Sequence, residues 1–159
     1  METTQSSEAS AAMLDNLYST RLRELAADIP RLGRLSAPDG TATAYSKLCG
    51  STITVDVVVR DGRVADYAHE VKACALAQAA SAIVARSIVG STPEEMHELR
   101  ETVRRMLKEK GPPPDGKWAD IAMLEPVRDL RMRHASTLLV FDAVVEALGN
   151  IVSIRNERR

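Results

Sequence analysis

The chain has 159 residues, 45% of them apolar and only 3% aromatic, which suffices for one compact domain with a core of Ala, Val, Leu and Ile. Lys and Arg number 21 against 22 Asp and Glu, so net charge makes no case for nucleic acid or for an acidic partner surface. No apolar run approaches the roughly 18 residues of a membrane helix. Two cysteines without an export signal argue against a disulfide framework and for a reduced, cytoplasmic setting.

Met1 to Ala12 is polar, carries acids and lacks the basic-then-apolar order of a signal peptide; it reads as a disordered lead-in over 1–12. A single domain is expected over 13–150, and a basic tail over 151–159 with Arg155, Arg158 and Arg159. Met13, Leu14, Leu17, Leu22 and Leu25 predict a first helix, closed by Pro30 and Gly33. Leu32 and Leu35 fall in an extended connector, and 42–48 is compatible with a strand. Ile53, Val55, Val57 and Val59 alternate with Thr52, Thr54, Asp56 and Arg60, the pattern of a strand with one face on a core. Asp61-Gly62 is a tight-turn dipeptide, because both residues tolerate positive φ, so 63–71 should return as the partner strand.

Beyond Cys74 the pattern turns helical. Leu76, Ala79, Ala80, Ile83 and Val84 make a smooth stripe over 75–89, ended by Gly90. Thr92-Pro93-Glu94-Glu95 starts the next helix with a capping hydroxyl, Pro in the first turn and acids at the positive end of the dipole. That helix should run to about Lys108. The Gly111-to-Gly116 segment breaks the chain, a short helix is expected around Trp118 to Leu124, and a final helix over 132–148. This order predicts an α+β fold, with helices packed mainly on one face of a three-stranded antiparallel meander.

Both cysteines fall at element boundaries. Cys49 precedes Gly50 at the turn before the best strand, and Cys74 stands where a strand gives way to a helix. A helix start offers unpaired N–H groups, which suit a thiolate ligand. If 56–66 is a hairpin, antiparallel pairing alone brings Cys49 and Cys74 to one end of the sheet. Two such cysteines serve either as small buried hydrophobes or as metal and sulfur ligands. There is no nucleophile–base–orienter set, no Gly-rich phosphate loop and no His-Glu-x-x-His, so an enzyme is not expected.

Five short motifs occur in order: Leu17-Tyr18; Pro30-Arg31-Leu32-Gly33; Cys49-Gly50-Ser51; Ala73-Cys74-Ala75 leading to Ser81-Ala82; and Arg131-Met132-Arg133-His134-Ala135. Together they resemble the U-type iron–sulfur scaffold family of IscU, SufU and the N-terminal domain of NifU, over about Leu14 to Leu148. The resemblance implies a three-stranded antiparallel sheet covered by helices, and a metal or cluster held by three cysteines and an aspartate. Cys49 and Cys74 match two of those cysteines, His134 stands at the third, and Ser51 at the aspartate. Histidine is a good ligand for zinc and iron. Serine is a poor one, so Ser51 is expected to cap a backbone group with water taking the fourth place, or itself to stand at that position or behind the ligands. Losing two negative charges should weaken Zn²⁺ and Fe²⁺ binding.

Read without the resemblance, His134 is a histidine near a helix start, making local hydrogen bonds. His69, on the strand leading to Cys74, is expected half-buried or as a partner behind the ligands; His97 should be solvated. Lys72, Arg131 and Arg133 flank the site as candidate contacts for an incoming persulfide or a desulfurase surface, with Arg131 also a candidate for the fourth position or for a place behind the ligands. The 60 positions from Cys74 to His134 resemble the insert-bearing SufU branch. Leu124-Glu125-Pro126-Val127-Arg128 stands where IscU has its chaperone-binding Leu-Pro-Pro-Val-Lys, so recognition by that chaperone pair is not carried over.

The function implied is a scaffold on which sulfide from a cysteine desulfurase and ferrous iron form a transient cluster, of the 2Fe–2S type, for apo iron–sulfur proteins. The alternatives are a zinc-dependent sulfur acceptor of the SufU kind, and a metal-free homologue that has kept only the fold. In SufU-like chemistry the acceptor cysteine falls at the His134 position, so Cys74 or Cys49 would have to stand in.

Overall fold

The computed structural model describes residues 20–48 and 50–157. The 1–12 lead-in, the start of the first helix, Cys49, Arg158 and Arg159 lie outside them. In chain order come helix α1 over 20–27, strands β1 (Gly40–Tyr45), β2 (Thr52–Arg60) and β3 (Arg63–Lys72), and helices α2 (Ala75–Ser87) and α3 (Pro93–Lys108). Two 3-10 stretches, Gly116–Asp129 and Arg131–Arg133, lead into helix α4 (His134–Glu157). Among the described residues no helix is long and apolar enough to cross a membrane.

The strands form one antiparallel sheet in the order β1-β2-β3. Its inner face carries Ala42, Ala44, Ile53, Val55, Val57, Val59, Val64 and Tyr67, all buried against the helices. The outer face is largely polar, with Thr43, Thr54 and Glu70. The β2–β3 turn is as the sequence predicts: Asp61 (φ 54°) and Gly62 (φ 77°) are both left-handed, the twist a two-residue hairpin requires. A bulge near Val58 and Val59 follows, leaving Ala65 unopposed in β3.

α4 crosses the inner face and packs on β1, β2, α2 and α3. The approach over β1 is close because Gly40 has no side chain. A Cβ there would collide with the Ala147 carbonyl oxygen and come within 2.6 Å of the Ile151 side chain. α2 is buried almost all round, its Ala77, Ala79, Ala80 and Ala82 fully enclosed, so small residues let it sit between α4, β3 and the 3-10 stretch. Thr92 caps α3 as expected, accepting the Glu95 N–H at 3.1 Å.

Four boundaries differ from expectation. β1 starts at Gly40 and stops at Tyr45, because Ser46 and Ser51 close a loop: the Ser46 N–H meets the Ser51 carbonyl at 2.9 Å, and the Gly50 N–H meets Ser46 O at 2.8 Å. The connector joins the outer edge of β3, with the Gly33 N–H on His69 O (2.8 Å) and the His69 N–H on Arg31 O (3.1 Å). In place of a short helix around 118–124, a 14-residue 3-10 stretch runs from Gly116 to Asp129. Trp118, Ile121, Leu124 and Val127, all buried, recur every third residue and so fall on one face at three residues per turn. α4 continues to Glu157, through much of the segment read as a tail, and Ile151 belongs to the core.

Asp56, read as a solvent-face strand residue, is fully buried. Arg34 forks onto it with Nε 2.7 Å from Oδ2 and Nη2 3.1 Å from Oδ1; the Thr41 hydroxyl (2.6 Å) and the Leu35 N–H (3.0 Å) complete its shell. Burial opposes ionisation of this carboxyl, but the Arg34, Thr41 and Leu35 hydrogen bonds outweigh it and hold its pKa below the ordinary 3.8. The cluster fastens the connector across the outer face of the sheet.

Candidate metal centre

The register pairs Thr52 with Lys72, so the start of β2 and the end of β3 meet at one end of the sheet. The 46–51 loop, which carries Cys49 in sequence, closes that end on one side, and the Lys72–Cys74 turn on the other. Ser51 is buried and its Oγ accepts the Cys74 N–H at 3.2 Å. It therefore caps a backbone group, and it ties the loop to the Cys74 turn.

Cys74 is the N-cap of α2, in extended conformation (φ −67°, ψ 167°), with its side chain making no capping hydrogen bond. It is a free, half-buried cysteine. Its carbonyl accepts the Gln78 N–H (2.9 Å), and the Gln78 side chain steadies the preceding turn through Ala73 O at 2.8 Å.

His134 opens α4 and is 8% exposed. Its Nε2 lies 3.1 Å from Val127 O and 3.0 Å from Arg128 O. Carbonyl oxygens only accept, so Nε2 carries a proton and donates to them. A depression lined by Tyr45, Ser46, Ala135, Leu138 and Leu139 sets the first turn of α4 beside the start of the 46–51 loop. Among the described residues, which exclude Cys49, no three His, Cys, Asp or Glu side chains form a metal-holding group.

The other sequence candidates take simpler places. His69 is fully buried rather than half-buried; its Nε2 donates to Pro30 O at 2.9 Å, and its ring packs on Tyr67 at 5.2 Å between centroids. Burial pushes its pKa below the ordinary imidazole value, against the opposing effect of the Pro30 hydrogen bond. His97 is exposed on α3, as expected. Lys72 is exposed at the end of β3, and Arg131 and Arg133 in the turn before α4.

Two features of this end were not picked out from the sequence. Tyr45, Leu48 (72% exposed), Leu130 and Met132 (78% exposed) hold large apolar side chains in solvent on the segments that border it. Arg100, Arg104 and Lys108 follow one another at four-residue spacing on α3 and line the depression beside Tyr45, with Arg100 on Asp142 at 2.7 Å. The four-residue spacing was the available signal for this basic stripe.

Residues 18–148 match the NifU-like N terminal domain family. The chain belongs to that family. A structure of a nitrogen-fixing NifU-like protein (N-terminal) from Brucella abortus is 52% identical, with a TM-score of 0.85 over 89% of this chain and 98% of its own. The iron–sulfur cluster assembly scaffold protein IscU of Thermotoga maritima is 26% identical over 137 residues, 85% of this chain and 94% of its own. A SufU structure from Fervidobacterium islandicum, at 19% identity, shares the fold with a TM-score of 0.74 over 80% of this chain and 93% of its own. The NifU-like family, the antiparallel three-stranded sheet and its helical cover thus agree with what the ordered motifs implied.

Proposed function

We propose that this chain is a scaffold for assembling and handing on iron–sulfur clusters, with Cys49, Cys74 and His134 as the ligands for iron or the cluster. The observation that carries this reading is the position of the 46–51 loop. On one side its Ser51 takes the Cys74 N–H, and on the other the strand end leading into it borders the first turn of α4, where His134 stands. Any ligand that Cys49 contributes thus belongs to a loop next to the turns of the other two.

The state of His134 also supports it. A metal-holding histidine commonly donates its other ring N–H to a backbone carbonyl, which fixes the tautomer and leaves the opposite nitrogen as ligand. Val127 and Arg128 supply two such carbonyls, so Nδ1 is the nitrogen for the metal. Two thiolates and a neutral imidazole bind a divalent ion less tightly than three thiolates and a carboxylate. Such a set, with its fourth position open to water, suits a cargo that has to leave. A scaffold in this sense holds and passes on a cluster of the 2Fe–2S type and carries out no reaction of its own. The Thermotoga relative, an iron–sulfur cluster assembly scaffold protein, points the same way. Sulfur then comes from a cysteine desulfurase, with Lys72, Arg131 and Arg133 as exposed cations at the docking face, and apo iron–sulfur proteins receive the cluster.

The test is iron, zinc and acid-labile sulfide per chain after anaerobic incubation with ferrous iron, cysteine and a cysteine desulfurase. Iron and sulfide in equal, chain-proportional amounts are expected, and both should vanish in Cys74→Ser while the circular dichroism spectrum is unchanged. Zinc retained without sulfide would replace this reading with that of a sulfur acceptor. Neither metal nor sulfide would leave a fold without the chemistry.

A further inference from the structure

Between the C-terminal end of α3 and the 3-10 turns before α4 lies a cavity of about 690 Å³. Lys108 and Lys110 stand on one side of it and Arg128, Arg131 and Arg133 on the other, with Asp129 the one acid in its lining. Among the described residues the side chains of Lys110, Arg131 and Arg133 enter no ion pair, whereas Arg128 has Glu125 at 3.7 Å. Leu107, Leu130 and Met132 give the cavity an apolar component, and the last two are solvent-exposed. A chain of net charge −1 therefore gathers five cations around one hollow.

Lys110 adds a conformational argument. Its φ is 55°, in the left-handed region that glycine adopts freely and lysine at a cost, and it directly follows the C-cap of α3. Glycine would end the helix with less strain, and the fold keeps a cation there, at the lip of the cavity.

The chemistry of the lining selects among anions. A lone inorganic anion would pair with the cations and leave Leu130 and Met132 wet. Single-stranded nucleic acid is held by aromatic stacking platforms, and this lining has no Phe, Tyr or Trp. An acidic peptide with a large apolar residue satisfies both parts of the lining.

We propose that this groove docks a short extended segment of a partner protein, in which a large apolar residue lies between carboxylates. The carboxylates pair with Lys110, Arg131 and Arg133, and the apolar side chain covers Leu130 and Met132. His134 lines the same cavity, so a docked segment would bring its protein against that residue; this last consequence alone rests on the scaffold reading.

The probe is a fluorescein-labelled peptide with Leu-Phe between two Asp-Glu-Asp triplets, titrated by anisotropy with the metal-free full-length chain. Saturable binding is expected, weakened about tenfold or more by Lys110→Gly and by Arg131→Glu, and unchanged by Cys74→Ser. Lys110→Gly should melt at or above the temperature of the parent, which separates lost affinity from lost folding. Replacing Leu-Phe by Ser-Ser, or the acids by Asn and Gln, should each weaken binding by a similar factor. The proposal is overturned by the absence of saturable binding, by equal affinity for the Ser-Ser peptide, or by an equal loss when the distant Arg63 is reversed to Glu. It is also overturned if oligouridine or phosphatidylglycerol vesicles displace the peptide at lower concentration in an Arg131-dependent way. None of these outcomes depends on metal, so failure of the scaffold reading would leave the result standing.

Discussion

The two ends of the sheet are built on different terms. Away from Cys74, polar bonds and close packing tie the strand ends to their neighbours. Asp39 holds the Val59 N–H and Arg60, each at 2.9 Å, Arg63 reaches Gly90 O at 2.8 Å, and Val64 exchanges backbone bonds with Gly90 and Ser91. The C-terminal half of α4 presses directly onto Gly40, and Asn150 adds a bond to Thr41 O at 2.8 Å. Toward the Cys74 end, Ser51, Gln78 and His134 tie the turns together, yet Leu48 and Met132 stand in solvent and cations crowd together. One end supplies the stability that lets the other keep exposed apolar groups and unpaired charge, both of which favour association over folding.

Substitutions that remove fastening should therefore cost far more stability than those at the site. The largest effect is expected for Asp56→Ala, a loss of about 3 kcal/mol in urea unfolding, since it strands Arg34, the Thr41 hydroxyl and the Leu35 N–H together. The Asp56 carboxyl titrates below its ordinary 3.8 in the folded chain. Its contribution is thus complete above the unfolded value and is lost as pH falls through the folded one. The stability gap between the parent and Asp56→Asn should be constant near neutrality and shrink in acid; a gap that widened in acid would reverse the assignment.

Gly40→Ala comes next, at about 2 kcal/mol, because the added methyl meets the backbone of α4, which cannot step aside as a side chain can. At the site end, Ser51→Ala should cost about 1 kcal/mol by removing the acceptor of the Cys74 N–H. It should also loosen metal retention, because the tie between the loop and the Cys74 turn goes with it. Met132→Ser is expected to alter stability by less than about 0.5 kcal/mol. Its effect belongs to association: in pull-down with a cysteine desulfurase or with the acidic peptide it should bind less. A Met132→Ser variant as destabilised as Asp56→Ala would erase the contrast between the two ends.

How far the sequence could be read depended on the range of the forces involved. The β2–β3 turn, the Thr92 cap and the alternation of β2 are local, so they were legible at once. The 3-10 stretch was missed although its sign was present, because Trp118, Ile121, Leu124 and Val127 at three-residue spacing also fit a short helix. Asp56 could not be read at all. An acid between valines in a strand looks solvent-facing until Arg34, 22 positions earlier, folds over it.

The same division holds for the site. Element boundaries and residue chemistry made Cys49 and Cys74 candidates, and the ordered motifs that named the family added His134 as the third. Hairpin pairing was enough to bring the Cys49 loop and Cys74 to one sheet end. Only the folded chain decided that Ser51 caps Cys74, that His134 spends its Nε2–H on Val127 and Arg128, and that His69 turns instead to Pro30. It also located charge that the total could not. A total near zero says nothing of where charges lie, and packing α3 beside the turns before α4 gathers Lys108, Lys110, Arg128, Arg131 and Arg133 from separate stretches of chain into one basic hollow. Local patterning fixes backbone conformation within a few residues, whereas which side chains share a space depends on contacts between elements that no single segment contains.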